Sequence, residues 1–138
     1  MHDSPADDAF VPAWPYTETG AAPFAMLAER LYARIDGDPR IRALFPADLS
    51  PASAPVADMR EFLVQFFGGP SAYSQRKGHP RLRARHLRFP IDQAARDAWL
   101  ANALGALEDV VAAHALDLRV REAIAEYLVR VSQFMMNR

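Results

Sequence analysis

Apolar residues recur along this chain at helical spacing, and prolines and glycines mark where each run stops. Phe24, Leu27, Ala28, Leu31 and Ile35 lie three or four apart, one face of an amphipathic helix. Pro23 suits the first position of that helix and Gly37 its end. Tyr32 follows Ala28 by four residues and shares the inward face. A helical turn over Pro39 to Phe45 and an Ala/Ser/Pro connection over Pro46 to Pro55 come next. They lead to a second helix, about Val56 to Phe67, with Met59, Phe62, Leu63, Phe66 and Phe67 as its stripe. Gly68-Gly69-Pro70 breaks it. The stretch from Pro70 to Pro90 reads as a loop carrying one short helix that starts near His79-Pro80.

All eleven prolines lie at or before Pro90, and the 48 residues after it contain one glycine. That tail predicts two long helices. Asp92 caps the first, whose face is Trp99, Ala103, Leu107, Val110 and Val111. Asp117 caps the second, with Val120, Ile124, Tyr127, Leu128, Val131 and Met135 as its stripe and Glu126–Arg130 as a favourable i,i+4 pair. No period-2 run of β-branched residues competes, so the expected class is all-α. Residues 1–15, polar and proline-rich, are expected to form a flexible extension to a single domain over 16–138.

Composition narrows the chemistry. An apolar share of 51% and a charged share of 24% are globular values. The absence of cysteine excludes disulfides, zinc–thiolate and iron–sulfur sites, thiol nucleophiles and covalent haem attachment through C-x-x-C-H. The first ten residues lack the basic and apolar regions of a signal peptide, and no apolar run approaches the roughly 18 residues of a membrane span. A soluble, cytoplasmic protein with no membrane partner is expected. The net charge of −1 hides an asymmetry: from Phe62 to Ile91 there is no acidic residue, but there are six basic ones, Arg76, Lys77, Arg81, Arg83, Arg85 and Arg88. An anion is expected against that segment: a nucleic acid, a phosphate or the carboxylates of a cofactor.

No hydrolase, kinase, P-loop or dinucleotide fingerprint is present. The remaining chemistry lies in four histidines and the inward aromatics. His86 sits in the basic helix with Leu82 four residues behind it, an arrangement open to haem ligation or to a surface histidine. His79 reads as a cap of the short helix or an anion partner, His114 as a helix-end surface residue, and His2 as part of the tail. Tyr32 and Trp99 are polar-tipped members of apolar stripes. Each either bonds a nearby carbonyl in the core or donates into a shared cavity, since an unpaired buried donor costs roughly 1–3 kcal/mol.

From about Tyr16 onward the chain resembles the group II truncated haemoglobins. The resemblance is carried by Leu31-Tyr32-Ala33-Arg34, Leu44-Phe45-Pro46, Phe67-Gly68-Gly69-Pro70 with Tyr73-Ser74, and Arg96-Asp97-Ala98-Trp99-Leu100. Its most specific element is Gly78-His79-Pro80-Arg81-Leu82-Arg83-Ala84-Arg85-His86, followed after thirteen residues by Trp99. The resemblance implies a truncated-globin two-over-two helical sandwich around haem b. His86 falls on the proximal iron ligand, Tyr32 and Trp99 on distal hydrogen-bond donors, and Phe45 on an aromatic against the haem face. Met59 and Phe62 fall on the distal pocket lining, and Tyr73 on a tyrosine that reaches a haem propionate. His79, Arg81 and Arg85 are expected to face the propionates. The chain departs from the family at Thr19-Gly20-Ala21-Ala22, where a double glycine is usual, and in a longer connection over Ala47 to Pro55. It departs again at Asp58, where some relatives carry a base, and at Phe45, where a tyrosine would add a donor.

The function the resemblance implies is binding of dioxygen, nitric oxide and carbon monoxide, coupled to nitric oxide/oxygen or peroxide redox chemistry with electrons from a separate reductase. A gas sensor or oxygen store acting through a partner is the alternative. A haem-free nucleic-acid module ranks last, because the basic segment lacks interleaved aromatics for base stacking and the chain is slightly acidic. Both a monomer and a homodimer are compatible with the sequence.

Overall fold

Proline and glycine set most of the helix boundaries in the computed structural model, which describes residues 14–138. The described residues form seven α-helices and no strand: α1 (Trp14–Thr19), α2 (Ala22–Asp36), α3 (Ala54–Phe66), α4 (Ala72–Lys77), α5 (Leu82–His86), α6 (Gln93–His114) and α7 (Leu118–Met135). A single 3-10 turn, Arg42–Leu44, lies between α2 and α3. The extension expected over residues 1–15 falls outside the described residues up to residue 13. Trp14 and Pro15 open α1, with Pro15 buried.

Helix α2 packs on both α3 and α6, and α6 packs on α7, so two helix pairs stack as two layers. The stripe read from the sequence for α2 is the buried face: Phe24, Leu27, Ala28, Leu31, Tyr32 and Ile35. Phe24 stacks on Phe67 with ring centroids 5.1 Å apart, and Phe66 meets Tyr127 of α7 at 4.1 Å. These aromatic contacts join α2, α3 and α7 into one core. Asp92 caps α6 by accepting from the Ala95 N–H at 2.8 Å, and Asp117 caps α7 by accepting from the Arg119 N–H at 2.7 Å. The Glu126–Arg130 pair forms on the exposed side of α7.

Three features differ from the sequence expectation. The segment between Pro70 and Pro90 carries two short helices, not one starting near His79-Pro80. Helix α4 spans only six residues, too few for a readable stripe. A tertiary bond holds it: the Gln65 amide donates to Ser74 Oγ at 2.6 Å and accepts from the Ser74 N–H at 2.8 Å. Gly78, at φ 81, ends α4, and Arg81, at φ 47, occupies the N-cap position of α5, so His79 does not cap that helix. Second, α3 begins at Ala54, with Pro55 in its first turn, where the missing N–H goes unneeded.

Third, α6 is buried on a wider face than the single stripe suggested, adding Ala98, Asn102 and Ala106. Small residues on that side let neighbours approach closely. A Cβ at Gly105 would lie 2.6 Å from an Arg34 guanidinium nitrogen, and Arg34 uses this groove to form a forked pair with Asp109. Nearby, buried Asp38 accepts from the Asn102 amide at 2.8 Å and from Arg40 at 2.7 Å, tying the end of α2 to α6.

The hydrogen bonds from Arg40 and Asn102 hold the Asp38 carboxyl well below the usual carboxylate range. A depressed folded-state pKa gives stability that is fully present above the unfolded value of about 3.9 and is lost as pH falls further. Thermal unfolding scanned from pH 6 to pH 2 should therefore show a shallower acid limb in Asp38→Asn than in the parent; identical limbs would exclude Asp38 as a source of acid sensitivity.

Candidate functional site

A cavity of about 660 Å³ lies between the two helix layers. That is within the roughly 300–1,000 Å³ typical of small-molecule and cofactor sites. Leu27, Leu31 and Tyr32 of α2 form one wall, and Met59, Phe62 and Leu63 of α3 continue it. Leu82, Arg85 and His86 of α5 form another, backed by Leu128, Val131 and Met135 of α7. Trp99 and Ala103 of α6 span between them, and Phe45 comes from the turn after α2.

The structure thus brings together Tyr32, Phe45, Met59, Phe62, Tyr73, Arg85, His86 and Trp99 around one space. It does not place His79 or Arg81 on the cavity lining, although both lie in the loop that leads into α5. Arg85 lines the cavity, but its guanidinium is also engaged with the loop. Its Nε donates to the Pro80 carbonyl at 2.6 Å and an Nη donates to the Lys77 carbonyl at 3.1 Å. Arg88, Phe89 and Arg96 also line the space. The sequence places Arg88 in the basic segment expected to face an anion and Arg96 in the Arg96-Asp97-Ala98-Trp99-Leu100 string, but assigns neither a contact in the site. Phe89 reads only as the residue before Pro90.

His86 has a defined protonation pattern. Its Nδ1 lies 2.6 Å from the Leu82 carbonyl oxygen, one helical turn back. A carbonyl only accepts, so Nδ1 carries the proton and a neutral ring has its lone pair on Nε2. That nitrogen is a competent metal ligand. Among the described residues no three His, Cys, Asp or Glu side chains come together as a site for a bare ion. His86 thus offers one nitrogen donor, the kind of single protein ligand that a haem iron takes.

Tyr32 and Trp99 supply donors to the same space. Neither the phenol hydroxyl nor the indole N–H finds a hydrogen-bond partner among the described residues. The Tyr32 ring is fixed by an edge-to-face contact with Phe45, centroids 6.0 Å apart. Phe62 makes a similar contact with Tyr73 at 5.6 Å. Asp58 also lines the cavity, but Lys77 pairs with it at 2.9 Å and Arg76 at 2.6 Å. Arg76 bridges onward to Glu61. The acid at position 58 thus draws in two cations of α4.

Comparison with known proteins gives the family and the fold. The family model described as bacterial-like globin matches residues 16–136. The chain belongs to the bacterial-like globins. It is 34% identical over 123 residues to a group 2 truncated haemoglobin of Bacillus subtilis, covering 89% of this chain and 88% of that one. The haemoglobin of Chloroflexus aurantiacus superposes with a TM-score of 0.80 at 44% identity, covering 90% of this chain and 98% of that one. A truncated haemoglobin structure from Bacillus subtilis, described as oxygen-avid, superposes with a TM-score of 0.77 at 33% identity, covering 89% and 98%. The architecture is that of the group II two-over-two truncated globins, as the sequence resemblance implied.

In this globin the Tyr32 phenol is held neutral. Burial, reinforced by the Asp58 charge, pushes its pKa from 10.0 up to about 12. A raised folded-state value gives stability present below the unfolded pKa and lost as pH rises through the folded one. The ultraviolet phenolate signal, taken as the difference between the parent and Tyr32→Phe, should stay flat through pH 10 and appear only near pH 12. A Tyr32 signal that titrates at 10 would contradict the buried placement.

Proposed function

We propose that this globin binds haem b non-covalently in the cavity, with His86 as the protein ligand to iron, and that it holds dioxygen and related diatomic gases on the Tyr32–Trp99 side. The observation that carries the proposal is the pairing, within one apolar cavity, of an imidazole whose Nε2 lone pair is free with two donors that have no partner among the described residues. The lack of cysteine excludes thioether attachment of the haem. The oxygen-avid description of the Bacillus subtilis relative supports the choice of ligand.

The lining fits a large flat apolar group with two carboxylates. Leu31, Phe45, Met59, Phe62 and Val131 supply apolar surface, whose burial dominates affinity at roughly 25 cal/mol per Å². Arg85, Arg88, Arg96 and Tyr73 supply polar groups able to meet propionates. Exposed ion pairs of that kind contribute only about 0.2–1 kcal/mol each, so they orient the group more than they retain it. Haem, when bound, supplies an iron that takes up oxygen, nitric oxide or carbon monoxide and changes oxidation state, which suits turnover of nitric oxide with oxygen, or of peroxide, given electrons from a separate reductase. Tyr32 and Trp99 donate hydrogen bonds to a ligand that carries partial negative charge, and the raised Tyr32 pKa keeps that donor protonated throughout the physiological range.

Two measurements test this reading. The purified protein reconstituted with haem should show a Soret band that shifts with carbon monoxide, and His86→Ala should alter its ligand field; an unaltered spectrum in that variant would remove His86 as the ligand. If each distal donor contributes about 1.5–3 kcal/mol, Tyr32→Phe and Trp99→Phe should each speed oxygen dissociation roughly tenfold to a hundredfold in stopped-flow displacement. Unchanged rates in both variants would exclude them from ligand retention. Consumption of nitric oxide by the oxygenated protein with a reductant present separates turnover from simple storage.

A further inference from the structure

His86 lies at the end of α5, a helix of only five residues, and such a helix has no stability of its own. Tertiary bonds from the end of α7 hold it. Arg83 Nη1 donates to the carbonyls of Phe134 and Met136, both at 3.1 Å, and the guanidinium lies 5.6 Å from the Phe134 ring centroid. Just beyond α7, the Asn137 side chain reaches into the segment that follows His86. Its amide nitrogen donates to the Phe89 carbonyl at 2.9 Å and, more distantly, to the His86 carbonyl at 3.4 Å. Its amide oxygen accepts from the Ile91 N–H at 3.0 Å. The backbone N–H groups of Asn137 and Arg138 both donate to the Ile91 carbonyl, at 2.9 and 3.2 Å.

We propose that Asn137 is a positioning residue for the proximal ligand: together with Arg83 it clasps residues 86–91 to the end of α7 and so fixes His86 against the cavity wall. The inference rests on the reading of His86 as the iron ligand. Two anchors act on His86 itself. The Leu82 carbonyl orients its ring, while Asn137 restrains its carbonyl and the backbone that follows. The same helix, α7, contributes Leu128, Val131, Ser132 and Met135 to the cavity. The clasp therefore sets the ligand's position relative to the surface a bound haem packs on. Asparagine suits this task because one planar group both donates and accepts. Aspartate keeps only the acceptance from Ile91, and alanine keeps neither.

The test uses the full chain reconstituted with haem. Haem transfer to excess apomyoglobin gives the loss rate, and resonance Raman of the ferrous protein gives the iron–histidine stretching band. Outer-shell partners of metal ligands typically change metal affinity by roughly 10–100-fold, so Asn137→Ala should lose haem faster by a factor in that range. Its iron–histidine band should shift or broaden. Asn137→Asp should fall between the parent and Asn137→Ala, and Glu126→Gln, on the exposed side of α7, should match the parent. Far-UV circular dichroism accompanies each variant. If Asn137→Ala loses helix content, Asn137→Asp decides: faster haem loss at native helicity supports the clasp, and parental loss with an unmoved band overturns it. Parental behaviour of a folded Asn137→Ala overturns it equally. His86→Ala in the same assay separates this inference from the one beneath it. If the band is lost there but unchanged in both Asn137 variants, the clasp fails and the ligand assignment stands.

Discussion

The site depends on the hydrogen bond from His86 Nδ1 to the Leu82 carbonyl. It fixes which ring nitrogen keeps a lone pair, and it exists only if residues 82–86 complete a helical turn. Five residues cannot maintain that turn alone, so the surroundings impose it. Gly78 and Arg81, both at positive φ, turn the chain into α5; for a non-glycine residue such as Arg81 that conformation costs roughly 1–3 kcal/mol. Arg85 bonds back to the Pro80 and Lys77 carbonyls, and Arg83 and Asn137 join the other side to α7. Two charges of the basic segment thus satisfy backbone carbonyls, Arg85 those of its own loop and Arg83 those at the end of α7.

The Tyr32 side of the cavity follows a different rule. Its groups are held by packing, and its polarity is kept neutral. Tyr32 is placed by the α2 stripe and by Phe45, and burial keeps its proton. The one acid of the lining, Asp58, is neutralised by Lys77 and Arg76, the two cations closing α4. An uncompensated carboxylate beside the apolar lining would favour the neutral phenol but oppose any electron-rich ligand, since charge–charge effects strengthen where water is excluded. The acid at position 58 and the cations of α4 therefore make sense only as a set.

The helices with long stripes were legible in the sequence, because tertiary context and local pattern agree there: α2, α3 and α7 bury the faces their spacing suggested. The Asp92 and Asp117 caps were legible for the same reason, being local chemistry. What was not legible is what distant residues decide. Helix α4 is tied to Gln65, α5 and the segment after it to the end of α7 through Arg83 and Asn137, and the second buried side of α6 rests on small residues whose partners are far away in the chain. The placement of Tyr32, Trp99 and His86 around one cavity was implied by the family resemblance, not by spacing. The spacing left each of them open to an ordinary structural role. His79 and Arg81 belong to the most specific string in the sequence but do not line the cavity, so the structure gives their expected role toward an anion no contact of its own.

The burial pattern adds an argument that neither the resemblance nor the histidine supplies. Leu44, Phe45, Met59, Leu82, Trp99 and Leu100 are apolar and packed against the core, but they are only partly buried. Large apolar side chains at core-facing positions normally finish packing against one another at near-crystalline density. Most of these instead border the cavity, whose rim reaches exposed Pro46, Ala54, Arg85 and Arg88. A closed apolar void of 660 Å³ would cost on the order of 16 kcal/mol at about 24 cal/mol per Å³, as much as the roughly 5–15 kcal/mol that holds a whole domain together. The opening at the rim lowers that cost but does not remove the mismatch between an apolar lining and water. Larger side chains at Ala103 and Ala95, both on its lining, would occupy part of this space. Keeping them small makes sense if the core is completed by an apolar group of matching size, and the free nitrogen of His86 then marks where that group is held.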